Sequence, residues 1–242
     1  MSLRMRQICL VARHLAPVVE EFRAVLGLEV CHRDPGVGKY GLENALFPIG
    51  HNFLEVVAPV REGTTAGRYL DRRGGDGGYM VITQCEDLAP RRKRCEAVGV
   101  RIANEIGHPE YRELQLHPRD VGAAMLSFGS QPGARDPGGP WHPAAYDGTP
   151  REKVGLIARM TAAELQSDDP DRLARRWSEV MERPVQMRDG QRVIALDDAT
   201  LRFTEATDGR AEGLGGLDLG CADPARAGLV QICGIRFRLV RA

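Results

Sequence analysis

An internal repeat constrains this chain more than any other feature. Residues 14 to 30 read HLAPVVEEFRAVLGLEV, and residues 87 to 102 read DLAPRRKRCEAVGVRI. Leu15-Ala16-Pro17 and Leu88-Ala89-Pro90 hold matching places, at an offset of 73 (88 − 15). In the first copy Val18, Phe22, Val25 and Leu26 share one helical face. In the second, Asp87 suits an N-cap and Pro90 the first helical turn. Each helix stops at a glycine, Gly27 or Gly99, and a short apolar strand follows. A strand also precedes each helix, Ile8 to Ala12 in one copy and Tyr79 to Thr83 in the other. Further strands are read at Val30 to His32, Gly41 to Pro48 and Asn52 to Val57. Their counterparts are Val100 to Ile102, Leu114 to His117 and Ala123 to Phe128. The repeating unit is therefore βαβββ.

A fainter version follows a break in composition. Residues 130 to 152 hold five prolines and four glycines, which is linker or wrapping-loop composition, and Trp141 and Tyr146 imply that it packs on something. Beyond it, Ala158 to Gln166 reads as a strand. Asp169-Pro170 then opens a helix that turns Leu173, Trp177, Val180 and Met181 inward. Strands follow at 185–187, 192–196 and 200–204, and a short fourth unit begins near Gly216. The expected organisation is a domain over 1–129, a linker over 130–152 and a divergent, partly truncated domain over 153–242. The fold class is α+β, with paired βαβββ modules, two pairs in all.

Composition narrows the function classes. Lys+Arg and Asp+Glu are 33 each, so the basic excess of a phosphate-driven nucleic-acid binder is missing. Arg91 to Arg94 is a basic run that reads as a solvated helix face. No apolar run reaches membrane-spanning length, and the start lacks the apolar core of a signal peptide. The six cysteines form no C-x-x-C pair and read as buried thiols, so a cytoplasmic setting is expected. Gly74-Gly75-Asp76-Gly77-Gly78 precedes a strand, whereas phosphate loops follow one, so it reads as a hinge between modules.

Three segments carry a family resemblance. Gly50-His51-Asn52-Phe53-Leu54-Glu55-Val56-Val57-Ala58-Pro59 is similar to the G-x-x-F-I-E-L-V-x-P strand of the vicinal oxygen chelate superfamily. Arg68 to Gly74 resembles its F-L-x-x-R-G joining segment, and Leu116 to Gly122 its late hairpin turn. That superfamily holds glyoxalases, bleomycin-resistance proteins and extradiol dioxygenases. The match covers residues 6–130 well and 155–240 by pattern alone.

The resemblance implies two modules enclosing a cavity, with a divalent metal held by the first and last strands of each. Counting back from the helix-opening His14 and Asp87 places Gln7 and Met80 at two ligand positions of that pattern, and the last strand of each module places Glu55 and Ser127 at the other two. Met80 is a soft thioether and Ser127 a weak neutral oxygen, so no metal and no other cofactor is expected. Tyr79 adjoins Met80 in a strand, and alternation turns one of the two inward. Glu55 is the candidate base, held by a donor such as an Arg or Tyr79. Gln7, Glu55, Tyr79, Met80, His117 and Ser127 are the candidate ligand-binding residues; His32 and His142 show no spacing that singles them out.

The first reading is a glyoxalase-like protein that binds a small organic molecule between its N-terminal modules without a metal. Nucleic acid and membrane are not expected partners, and a homodimer is allowed. The alternatives are a metal-dependent lyase, epimerase or dioxygenase, and a degenerate scaffold whose cavity is filled by its own side chains.

Overall fold

The computed structural model describes residues 2–149 and 156–241. The end of the proline-rich stretch, 150–152, and the first residues expected of the second half, 153–155, lie outside the described residues. The first unit runs β1 (Arg4–Val11), α1 (Leu15–Leu26), β2 (Leu42–Ile49) and β3 (Asn52–Pro59). Helix α2 (Thr65–Arg73) leads to the second unit: β4 (Gly77–Gln84), α3 (Ala89–Ala97), β5 (Ile102–His108), β6 (Tyr111–Leu116), the short α4 (Pro118–Val121) and β7 (Met125–Ser130). The third comprises β8 (Ile157–Ser167), α5 (Pro170–Met181), β9 (Val185–Arg188), β10 (Gln191–Ala195) and β11 (Thr200–Glu205). The fourth has β12 (Gly213–Cys221), β13 (Gly228–Ile232) and β14 (Ile235–Arg241), joined without an α-helix. No helix among the described residues is long and apolar enough to cross a membrane.

Units pair within sheets. The first seven-stranded sheet has the order β2-β3-β1-β4-β7-β6-β5, and the second β13-β14-β12-β8-β11-β10-β9. In each, the first strands of two units meet antiparallel, β1 with β4 and β8 with β12. Each of those strands also pairs in parallel with the last strand of its own unit. The first unit departs from βαβββ at one point. Val30 to His32 shrinks to a single bridge, His32 opposite Leu46. Asp34 accepts from Gly36 N–H at 2.7 Å, and Pro35 fixes the next φ, so the chain turns into a 3-10 helix over Pro35–Tyr40 instead of a strand.

One apolar core lies between the sheets. Helix α1 buries Leu15, Val18, Val19, Phe22 and Leu26, and Gly27 ends it at φ 65°. Phe22 sits edge-on between Phe47 of β2 (5.3 Å) and Phe237 of β14 (5.5 Å). Helix α5 starts where Asp169 accepts from Arg172 N–H at 2.9 Å. Its Leu173, Trp177, Val180 and Met181 are buried. Ile8, Leu10, Leu54, Val56 and Phe128 of the first sheet share this cluster with Leu165, Leu201, Leu217 and Leu239 of the second.

The glycine run proves to be less a hinge than a close approach. Gly74 caps α2 at φ 73°, and Gly77 and Gly78 belong to β4. A Cβ on Gly78 would lie 2.4 Å from the Leu214 Cβ of β12, so only glycine lets the two sheets meet there.

Candidate functional site

Alternation along each strand sends one set of side chains into the shared core and the other to the opposite face of the first sheet. On that outer face Phe53, Glu55 and Val57 of β3 stand beside Gln7, Cys9 and Val11 of β1. Met80 and Ile82 of β4 follow, then Met125 and Ser127 of β7. Four of the residues singled out in the sequence, Gln7, Glu55, Met80 and Ser127, therefore occupy neighbouring strands of one face. Tyr79 packs there as well. The pairing of β1 with β4 slips between Cys9 and Leu10, which makes Tyr79 the bulged residue, so it does not point away from Met80's side as strict alternation demands. Its ring meets Tyr69 of α2 edge-on at 5.1 Å. His117 is not among them: it caps α4, accepting from Arg119 N–H at 3.3 Å.

The polar side chains fall into two groups. In the first, Gln7 Nε2 donates to Glu55 Oε2 at 2.8 Å and Asn44 Nδ2 donates to Glu55 Oε1 at 2.7 Å. The donors that hold Glu55 are thus two neutral amides, not the Arg or Tyr79 expected from the sequence. Glu55 is 8% exposed, and burial raises its pKa despite the hydrogen bonds from Asn44 and Gln7 that favour the charged form. The Cys9 thiol lies beside it and is itself pushed up by burial.

In the second group, Tyr111 OH donates to Glu113 Oε2 at 3.0 Å. Burial raises the Glu113 carboxyl, with the Tyr111 hydroxyl acting in the opposite direction. Ser127 Oγ and Glu113 Oε1 are buried and lack a hydrogen-bond partner among the described residues. In register, Ile82 stands between Gln7 and Ser127, so an apolar strand separates the two groups.

A cover lies over this face. Helix α2 contributes Ala66 and Leu70, and the proline-rich strap contributes Trp141 and Ala144. Trp141 is fully buried; its Nε1 donates to Gln7 Oε1 at 2.6 Å, and its ring packs edge-on against Tyr111 at 5.3 Å. Arg6, at a second irregularity of β1, pins the strap. Its guanidinium donates at 2.6 Å to the carbonyls of His51, Pro137 and Gly139 and at 3.3 Å to that of Pro140. Burial brings the Arg6 pKa down to about 10. Arg4 adds a donation to Asp136 O at 2.5 Å.

Asn44, Glu113 and Arg6 were missed by sequence reasoning, and Trp141 was read there only as a residue that packs on something. A signal existed for two of them: Asn44 and Glu113 are polar residues within half-apolar strands, each in step with an apolar neighbour of the covered outer face, Leu46 and Tyr111 respectively. The matching face of the second sheet is filled by charge pairs. Arg202 binds Asp218 and reaches Glu164 at 3.2 Å, and Arg236 binds Glu164 at 2.7 Å.

Comparison with known proteins adds three findings. A family model described as a glyoxalase-like domain matches residues 8–181. The ethylmalonyl-CoA/methylmalonyl-CoA epimerase of Cereibacter sphaeroides is 21% identical over 129 residues, which covers 52% of this chain and 96% of that enzyme. A hypothetical protein from Staphylococcus aureus shares the fold across 100% of both chains, with a TM-score of 0.71 and 13% identity.

Proposed function

Because the chain belongs to the glyoxalase-like domain family, we propose that the outer face of its first sheet binds a small organic molecule, without a divalent metal, beneath the Trp141 strap. The observation that carries this reading is Glu55. It is a buried carboxylate with no ion pair among the described residues, gripped by two amides and flanked by Phe53, Val57, Met80 and Ile82. Such a group is costly to keep for packing alone and is a common mark of a binding or proton-transfer site. The surrounding Phe53, Met80, Ile82 and Val57 suit a mostly apolar ligand with one carbonyl or hydroxyl. Glu55, with its raised pKa, is the group available for acid–base chemistry. Admission of a ligand requires Trp141 to give way.

The donor chemistry speaks against the family's usual metal. Both Glu55 oxygens accept from amide N–H groups, and Gln7 Oε1 accepts from an indole. The two remaining positions offer a thioether and a neutral hydroxyl, with no imidazole among the four. A second reading rests on Trp141 itself: an indole that fills the face permanently makes the protein a scaffold.

Native mass spectrometry of the purified chain, followed by a binding screen of small carbonyl and hydroxyl compounds, separates these. A ligand that binds the native chain, binds more tightly to Trp141→Ala and is lost in Glu55→Gln supports the proposal. No ligand in either the native chain or Trp141→Ala favours the scaffold. A stoichiometric ion lost specifically in Glu55→Gln would instead favour a metal-dependent lyase, epimerase or dioxygenase.

A further inference from the structure

On the surface above the strap, His108, Glu110 and His142 converge, with one ligand atom from each lying within 4.8 Å of the others. The two imidazole rings stack with centroids 4.1 Å apart, and His142 Nδ1 is 3.8 Å from Glu110 Oε2. We propose that these three side chains form a site for a divalent transition ion of the zinc or nickel type, and that the ion clamps the strap to the β5–β6 hairpin. The argument has three parts.

The first is donor chemistry. Two imidazoles and one carboxylate form a set that suits zinc, nickel, cobalt and copper, and leaves a fourth position for water. Glu110 N–H donates to His108 Nδ1 at 3.2 Å, so in this arrangement the ring's lone pair is on Nδ1; an ion takes that lone pair in place of the N–H, or the lone pair of Nε2 after the ring changes tautomer.

The second is reach. Ligand atoms about 2.1 Å from one tetrahedral ion stand about 3.4 Å apart. From the present limit of 4.8 Å the three atoms therefore need to close by at most about 1.4 Å. All three side chains are exposed, so side-chain rotation alone can supply that movement.

The third is position. His108 ends β5 and Glu110 lies in the turn before β6, while His142 directly follows Trp141. His142 N–H already donates to Gln131 Oε1 at 3.1 Å, so the backbone on which its ring sits is held. An ion bound by all three ties the segment that carries the covering indole to the hairpin that carries Tyr111 and Glu113. This site lies outside the four strand positions on the sheet face, and it does not depend on what that face binds.

The test is a zinc titration of the metal-stripped full chain by calorimetry, repeated on His108→Ala, His142→Ala and Glu55→Gln. One ion per chain is expected, with a Kd on the order of 10 µM or tighter. Each histidine substitution should weaken it by about tenfold or more. Glu55→Gln should leave it unchanged. Amide hydrogen exchange supplies the second readout: zinc should slow exchange at Trp141 and Tyr146 in the native chain and have no effect in His142→Ala. Zinc binding that is absent, or indifferent to both histidines, overturns the site. Histidine-dependent binding with unaltered exchange at Trp141 and Tyr146 overturns the clamp.

Discussion

Glu55 shows how a single residue couples the fold to its chemistry. Its pKa is raised in the folded chain above the ordinary 4.5 because burial disfavours the charge more than the Asn44 and Gln7 contacts restore it. Between 4.5 and the raised folded value, the folded state binds more protons than the unfolded state. Stability therefore falls as pH rises through that window and is highest, for this group, below it. Glu55→Gln removes the titration, so its stability relative to the native chain should rise as pH increases from 4.5 through the raised folded value. Urea melts at a series of pH values check this, and a difference that stays flat or falls with pH would sink it. Glu55 could be singled out from the sequence because a carboxylate interrupts Phe53, Leu54, Val56 and Val57. Of its partners, Gln7 could be singled out by its strand position, but Asn44 could not. Asn44 meets it across a strand pair and Gln7 across another, and Trp141 reaches Gln7 over 134 residues of chain. Periodicity reports which face a residue takes, not which residue stands opposite.

Elements tell a similar story at a larger scale. The strap between β7 and β8 could be recognised by its prolines, but what holds it is Arg6, which looks in the sequence like one more arginine. Arg6→Met keeps much of the volume and removes the donors to the carbonyls of His51, Pro137, Gly139 and Pro140. Leaving buried carbonyls without partners costs about 1–3 kcal/mol each in the worst case. The expected result is faster cleavage within 131–149 under limited proteolysis, and an unchanged rate would show that Arg6 does not anchor the strap. Helix α5 was more legible, because its apolar spacing and its Asp169-Pro170 start are local signals. Trp177 is fully buried, packs against Phe203 at 6.1 Å and donates to Gly122 O at 3.3 Å. Trp177→Ala should cost about 3–5 kcal/mol, and a thermal melt unaltered by it would contradict that packing. Two elements escaped for opposite reasons. Val30 to His32 has strand composition, yet the turn built on Asp34 and Pro35 takes the chain elsewhere. Helix α2 has few apolar residues, Ala66 and Leu70 among its buried ones, so its periodicity is weak.

The whole molecule joins two sheets through one core, and that arrangement makes a prediction about cooperativity. Phe22 of the first unit lies against Phe237 of the last, and Gly78 of β4 closes on Leu214 of β12. Backbone N–H groups of Leu3 and Met5 donate to the Asp197 and Asp198 carboxylates at 2.8 and 2.9 Å. Arg91 of α3 donates to Met181 O at the end of α5 at 2.9 Å. If either sheet unfolded alone, it would expose the inner face of the other, including Leu10, Val56, Leu165 and Leu217, all essentially inaccessible in the fold. Each such side chain contributes roughly 1.5–3 kcal/mol by its burial, so losing a whole face exceeds the usual 5–15 kcal/mol stability of a domain. The two halves should therefore unfold together, even though the sequence divides so plainly at the proline-rich stretch. Native-state hydrogen exchange in increasing urea tests this at two amides, Ile8 in β1 and Leu165 in β8, both in strand ladders of the core. Their opening free energies should merge onto one line and share one midpoint. Two separated midpoints would mean that the sheets are independent domains, and that the shared apolar cluster contributes far less than its buried side chains imply.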